Sequence, residues 1–240
     1  MKTKIIYEDA HILVCYKPAG LATQTARVGQ QDMVSELKNY LASTPRRDSY
    51  LGIVHRLDQP VEGLLVFAKD SKTAAKLTAS LSEGTLNKHY FAVVCGQPDE
   101  DSAVLVDYLW KDAANQKAIC LGNGAEEEMH PDAKKAVLQY RVLERQTVEE
   151  EQLTLLDVHI DTGRFHQIRA QLSHAGLPII GDGRYADEHI LNFGRKLGVR
   201  NVALCAYEVV FRHPVTGKKM EYRIHPQGQI FRCFGNYREE

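Results

Sequence analysis

Short apolar runs separated by turn-forming residues set the rhythm of this chain. Lys4 to Tyr7 and Ile12 to Tyr16 read as two short strands around Glu8-Asp9-Ala10-His11, and Lys17-Pro18-Ala19-Gly20 stops the second with a Pro–Gly turn. Met33, Leu37, Tyr40 and Leu41 recur at helical spacing and predict an amphipathic helix over Gln31 to Leu41. Ile53 and Val54 close another strand, and Leu64 to Phe67 reads as a buried one. Between them, Gln59, Pro60 and Gly63 break the chain. Ser71 to Ser82 is helical, capped by Asp70 or Ser71, with Ala74, Leu77 and Leu81 on one side. Strands are predicted at Lys88 to Gly96, Ala103 to Tyr108, Ala136 to Leu143 and Leu153 to Ile160; the last alternates well. Phe165, Ile168, Leu172 and Ala175 give one apolar face to a helix that opens at Thr162 and ends at Gly176 and Pro178.

Such a strand-rich order with few helices is an α+β pattern. With 240 residues, 44% hydrophobic and 25% charged, the chain has the composition of a globular protein, and we expect one domain over residues 1–240. No apolar run reaches the roughly 20 residues that cross a bilayer. Glu8, Asp9 and His11 interrupt any export-signal core at the start. Five scattered cysteines show no CxxC pair and no metal-ligand spacing, which points to a reducing cytoplasm. The net charge of −1 argues against a non-specific nucleic-acid coat but leaves room for a local basic cleft.

The densest chemistry lies in Leu51 to Lys69, LGIVHRLDQPVEGLLVFAK. His55, Arg56 and Asp58 share a tight connection between two buried runs, where a fold can hold a reactive group rigidly. On the residues alone, Asp58 is either a reactive carboxylate or a turn aspartate that caps a backbone N–H. Lys17 is either an exposed turn lysine or a phosphate contact. The loop Ser43 to Tyr50, with Arg46 and Arg47, is an RNA-backbone contact or an ordinary solvated loop. Tyr90 lies in a strand, where most tyrosines are core residues with a satisfied hydroxyl. His166 and Gln167 sit near a helix N-terminus, which favours anions. Gly122 to Lys135, with Glu126-Glu127-Glu128, reads as an exposed loop turned away from any nucleic acid.

Five motifs in this order resemble those of the RluA family of RNA pseudouridine synthases. They are ILVCYKPAG, HRLD with GLL and AK, the strand KHYFAVVCG, and GRFHQIR running into Gly176-x-Pro178-Ile179-x-Gly181-Asp182-x-x-Tyr185. The fifth is Leu204-Cys205-Ala206 followed by His213-Pro214-x-Thr216-Gly217. The resemblance implies the α+β pseudouridine synthase fold, a mixed, largely antiparallel sheet bent around a central catalytic cleft. It also implies a structured RNA substrate, ribosomal or transfer RNA, with no DNA partner and no membrane. Asp58 would be the nucleophile, Arg169 its ion-pair partner, and Tyr90 the ring against the target base. Arg56, Lys17, Arg164, His166 and Gln167 would bind RNA, Arg56 by filling the space a flipped base leaves. The similarity begins almost at Met1, so we expect no separate N-terminal RNA-binding module, and a monomer is the simplest state. Departures are Val61-Glu62 where the family commonly has Thr-Ser, Pro60, and Cys205 where it often has His.

The implied reaction breaks the N1–C1′ bond of uridine, turns the base and rejoins it through C5. Nothing is oxidised and no group is imported, so neither a cofactor nor a metal is expected. A carboxylate serves such chemistry as nucleophile or by assisting loss of the base. It must stay ionised in a fairly dry pocket, which a guanidinium partner favours. Tyr90 can stack on uracil and assist proton removal from C5. His55 reads as structural. Two rivals are a catalytically inactive RNA-binding protein of the same fold, and a metal-dependent hydrolase built on His55, His166 and Asp58.

Overall fold

The computed structural model describes residues 1–25, 29–44, 50–121 and 130–235. Arg46, Arg47 and the Glu126-Glu127-Glu128 run lie outside them. The chain groups into two compact units, Met1–Lys88 with Cys205–Pro226, and His89–Leu204 with Gln227–Glu240.

In the first unit, β1 (Lys4–Glu8) and β2 (Ile12–Lys17) form an antiparallel pair, and β2 pairs antiparallel with β4 (Glu62–Ala68). The short β3 (Gly52–Ile53) also pairs with β4. β4 runs parallel to β10 (Leu204–Arg212), which pairs antiparallel with β11 (Lys219–Arg223). All seven β4 residues are buried, the pattern of a central strand covered on both faces. Its Leu64, Val66 and Ala68 meet Ile12 and Val14 of β2, Val209 and Phe211 of β10, and Leu77 of α2 (Ser71–Ser82) in one core. Asp70 caps α2 by accepting from the Thr73 backbone N–H at 2.8 Å, as its place before the apolar stripe predicts. The helix α1 (Met33–Ser43) starts later than its periodicity suggests, because Asp32 turns out of the helix and caps it through the Ser35 N–H at 2.7 Å.

In the second unit, the order is β5 (Asn87–Cys95), β9 (Glu151–Ile160), β8 (Lys134–Val148), β6 (Ser102–Asp112) and β7 (Lys117–Leu121), every pair antiparallel. A bulge between Val142 and Glu144 shifts the β8–β9 register. The helix α3 (Gln167–His174) packs Ala170 against Leu109, Ala118 and Ala136. The small side chains let a helix lie close to the sheet. α4 (Glu188–Lys196) buries Ile190 and Phe193.

The described residues thus form a mixed α+β fold with a largely antiparallel sheet, as expected. Among the described residues, β7, β10, β11, α4 and the short 3-10 helix Gln229–Cys233 escape the sequence reading; β7, β11 and the 3-10 helix are only five residues each, too short for a clear period. No helix among the described residues is long and apolar enough to cross a membrane.

The Gly63 that follows Glu62 has φ +140°, and a Cβ there would lie 2.5 Å from the Ala206 backbone N. Parallel β10 approaches β4 too closely for any side chain at this point. Gly63→Ala is therefore expected to cost about 2–4 kcal/mol of stability in urea unfolding.

Candidate active site

Two polar constellations are built into these units. The first is the turn between β3 and β4. Buried Leu57 and half-buried Asp58 follow exposed Arg56, an alternation that anchors the turn and presents both polar side chains. The turn closes on itself through the Val61 N–H, which donates to the Asp58 carbonyl at 3.1 Å. The KPAG segment and the residues after it then grip it from the side. Thr23 Oγ1 donates to the Leu57 carbonyl at 2.8 Å and accepts from the Leu57 N–H at 3.3 Å. The Gly20 N–H donates to the Gln59 carbonyl at 2.8 Å, and Gln59 Nε2 donates back to the Gly20 carbonyl at 3.1 Å. The backbone is thus held immediately before and after Asp58.

Lys17 completes the grip and corrects one expectation. It is not at the surface reaching for phosphate; it is fully buried. Its Nζ donates to the carbonyls of Leu21 at 2.7 Å, Pro18 at 3.1 Å and Gln59 at 3.1 Å. An ammonium has three N–H groups, and three carbonyls take them. Burial pulls its pKa down to about 7, against the negative charges of Asp58 and Glu62. His55 is structural, as read. It is buried and accepts from the Val66 N–H at Nε2, 3.2 Å away, and burial followed by the charge of Lys88 lowers its pKa well below the usual histidine range. A nitrogen so used is not available to a metal. Glu62 does not face outward either. It is buried and accepts a 2.6 Å hydrogen bond from the Tyr16 hydroxyl.

The second constellation surrounds the start of α3, which opens at Gln167, five residues later than predicted. The delay has a local cause. Gln167 Oε1 accepts from Thr162 Oγ1 at 2.8 Å and from the Arg164 N–H at 3.0 Å, and its Nε2 donates to the Val137 carbonyl at 3.0 Å. These bonds hold residues 162–166 in a turn, with His166 at φ 53°. Gln167 is buried and so positions this turn, in place of the RNA contact expected of it. Arg164 is exposed, its Nε on the Lys135 carbonyl at 3.1 Å. His166 is half-buried, stacked on Phe165 at 3.8 Å between centroids, with Nδ1 3.0 Å from the Tyr185 hydroxyl.

Arg169 is buried and forms a bidentate pair with buried Asp182: Nε to Oδ2 and Nη2 to Oδ1, both 2.7 Å. The Tyr185 ring lies 5.2 Å from the guanidinium carbon. A guanidinium has five N–H groups, and Asp182 takes two. Gly181 places Asp182 through a turn at φ +79°, where a Cβ would meet the Asn201 carbonyl oxygen at 2.3 Å. Asp182 and Tyr185 received no role in the sequence reading, although both stand in the GD-x-x-Y run. Tyr90 is buried in β5 opposite Val158.

Elsewhere in the second unit, Asp107, Cys120 and His174 bring ligand-type atoms within 4.8 Å of one another. Hydrogen bonds to Asp107 from Gln171 Nε2 at 2.7 Å, and its pairing with His174 Nδ1 at 2.9 Å, account for the cluster.

Comparison with known proteins agrees with this architecture. Residues 11–174 match the family described as RNA pseudouridylate synthase. The chain is 30% identical over 217 residues to ribosomal large subunit pseudouridine synthase C of Vibrio cholerae, covering 90% of this chain and 64% of that protein. It is 34% identical over 236 residues to ribosomal large subunit pseudouridine synthase D of Pseudomonas aeruginosa, covering 92% and 68%. The solved structure of human RNA pseudouridylate synthase domain containing 4 superposes with a TM-score of 0.72 at 22% identity, over 96% of this chain and 90% of that one. The chain therefore belongs to the RNA pseudouridine synthase family, in its RluA branch. It spans about 64% of the length of the Vibrio relative.

Removing the Asp182 carboxylate strands a buried guanidinium. Asp182→Ala is expected to lose about 3–5 kcal/mol of stability by urea denaturation, with Asp182→Asn losing less.

Proposed function

We propose that the protein is an RNA pseudouridine synthase that isomerises uridine in a structured RNA, with Asp58 as its nucleophile. The observation that carries this reading is the fixed turn around Asp58. Hydrogen bonds grip the backbone at Leu57 and Gln59, the residues on either side, while the Asp58 side chain is only half-buried. A carboxylate on a turn this constrained is held for a reaction geometry, and its family motif is that of the nucleophile.

The steps follow from the chemistry of the residues. The uridine leaves its stack, and exposed Arg56 occupies the space it vacated. The Asp58 carboxylate bonds to C1′ or assists loss of the base as the N1–C1′ bond breaks. The base turns, a C5–C1′ bond forms and displaces any Asp58–C1′ bond, the C5 proton is removed with the help of Tyr90, and N1 takes up a proton. By its motif Arg169 matches the family's partner of the catalytic aspartate, and Asp182 orients its guanidinium. Arg164 and His166 contact the RNA backbone. The two bacterial relatives named above are called ribosomal large subunit pseudouridine synthases, which favours ribosomal over transfer RNA here. We take a cytoplasmic monomer as the simplest state for this reading.

Pseudouridine mapping of total RNA should show a site present with the wild-type gene and absent both without it and with Asp58→Ala. On purified protein, Asp58→Asn should lower the rate at least about 10³-fold while RNA binding survives. Tyr90→Phe should lower it by about 10²–10⁴-fold. Full modification by Asp58→Asn would refute the assignment.

A further inference from the structure

We infer that the cavity beside the Asp182 turn is a phosphate site, in which Arg195 and Arg200 hold the phosphate of a nucleotide while its sugar lies against Leu191 and Val199. The inference rests on the functional reading above for the source of that nucleotide, the backbone of the RNA substrate. Its geometry lies wholly within the second unit.

The cavity has a volume of about 640 Å³. Gly181 and Gly183, on either side of Asp182, line one part of it, and Leu191 and Arg195 of α4 another. The loop from Gly198 through Val199 to Arg200 completes the lining. Two guanidiniums, two apolar side chains and three glycines make up this wall, with no carboxylate among them. The space exceeds what a bare phosphate fills and lies in the range of pockets that take a small molecule.

Charge is concentrated here. From His189 to Tyr207 the chain carries Arg195, Lys196 and Arg200 but no aspartate or glutamate, although the net charge of the protein is −1. Arg195 and Lys196 have an ordinary reason to be where they are, since they stand in the last turn of α4 and suit the helix dipole. That reason does not reach Arg200, which lies beyond the helix. It is exposed, and among the described residues it makes no hydrogen bond and no ion pair. Arg195 donates from Nη1 to the neutral Asn192 Oδ1 at 3.0 Å. Of its five N–H groups, most are left for a ligand.

Negative groups near the cavity are already engaged. Asp182 is fully buried, with its two oxygens on Arg169. The last carbonyls of α4, those of Phe193, Gly194 and Arg195, accept from the N–H groups of Leu197, Val199 and Gly198 at 3.2, 2.9 and 3.0 Å. Asp187 and Glu188 stand at the other end of α4. Seven or eight residues of helix put them about 10 Å from Arg195, close to the screening length in ~0.1 M salt. Two guanidinium forks on one wall match an anion with several oxygens, and phosphate is the common case. The turn that carries Asp182 also orients Arg169, so a phosphate held here fixes the RNA on the element that places that arginine.

The test uses the full chain. Inorganic phosphate and uridine monophosphate are titrated separately, with NMR of the Gly183, Gly198 and Arg200 backbone amides as the readout. Binding of the RNA found by mapping is measured across a range of salt. One variant is Arg195→Gln with Arg200→Gln. The other is Gly183→Asp, which adds a carboxylate where a Cβ would meet nothing within 4 Å. Lys38→Gln with Lys72→Gln removes the same charge from the first unit as a control. Phosphate should shift the three amides in the wild type and in the control but in neither cavity variant. RNA affinity should fall about 10-fold in the arginine variant, and the salt slope should shrink by about 1.5. KM should rise with kcat unchanged. Loss of uridine monophosphate binding with RNA affinity equal to that of the control would keep the site and assign it to a free nucleotide. Amides that respond to neither ligand, with RNA affinity and salt slope equal to those of the control, overturn the inference. If the wild type modifies no RNA, the functional reading fails, while the phosphate and nucleotide titrations still decide the site.

Discussion

A buried ammonium has to place all three of its N–H groups on acceptors, and the region around Asp58 is arranged to meet that demand. Lys17 is fully buried at the end of β2, where its charge would be costly without partners. The carbonyls of Pro18, Leu21 and Gln59 supply them. The first two curl the KPAG turn around the ammonium. The third reaches across to the HRLD turn and ties two distant stretches of sequence together. Thr23 and Gly20 add bonds of the same kind. The position of Asp58 is thus a consequence of satisfying a buried cation.

The second unit uses the same logic with another cation. Arg169 is buried in α3, and Asp182 meets it with both oxygens at 2.7 Å. Gly181 permits the turn that brings Asp182 there, and Tyr185 covers the guanidinium face while its hydroxyl accepts from the Ala118 N–H at 2.7 Å. A GD-x-x-Y run that looks like loop punctuation is a support for one arginine. A planar guanidinium held along one edge has its remaining donors fixed in direction, which a flexible lysine would not achieve.

Rigid strands explain why these turns can be precise. β4 is buried along its whole length, and Gly63 lets β10 pack against its first residues without a side chain between them. The polar turn before β4 is therefore anchored to one of the most constrained elements of its unit. Functional side chains on connections gain accuracy when the elements on either side cannot shift.

Much of this was legible in the sequence. Apolar periodicity located most strands and α2, because burial on one face leaves a period-two or helical signature. The motifs carried the family and singled out Asp58, Tyr90 and Arg169 as candidates. Sequence spacing could not reveal partners distant in the chain. Lys17 looked like an exposed turn lysine because nothing local shows that Leu21 and Gln59 offer it carbonyls. Gln167 looked like a polar residue at a helix start, yet its bonds to Thr162, Arg164 and Val137 delay that helix. Glu62 stands in the sequence only as a departure from the family's usual Thr-Ser, and nothing local shows that the Tyr16 hydroxyl donates to it. The sequence by itself determined which chemistry is present and which segments are buried. Tertiary structure alone decided which polar groups are spent inside the protein, because hydrogen-bond partnership is a property of space and not of order along the chain.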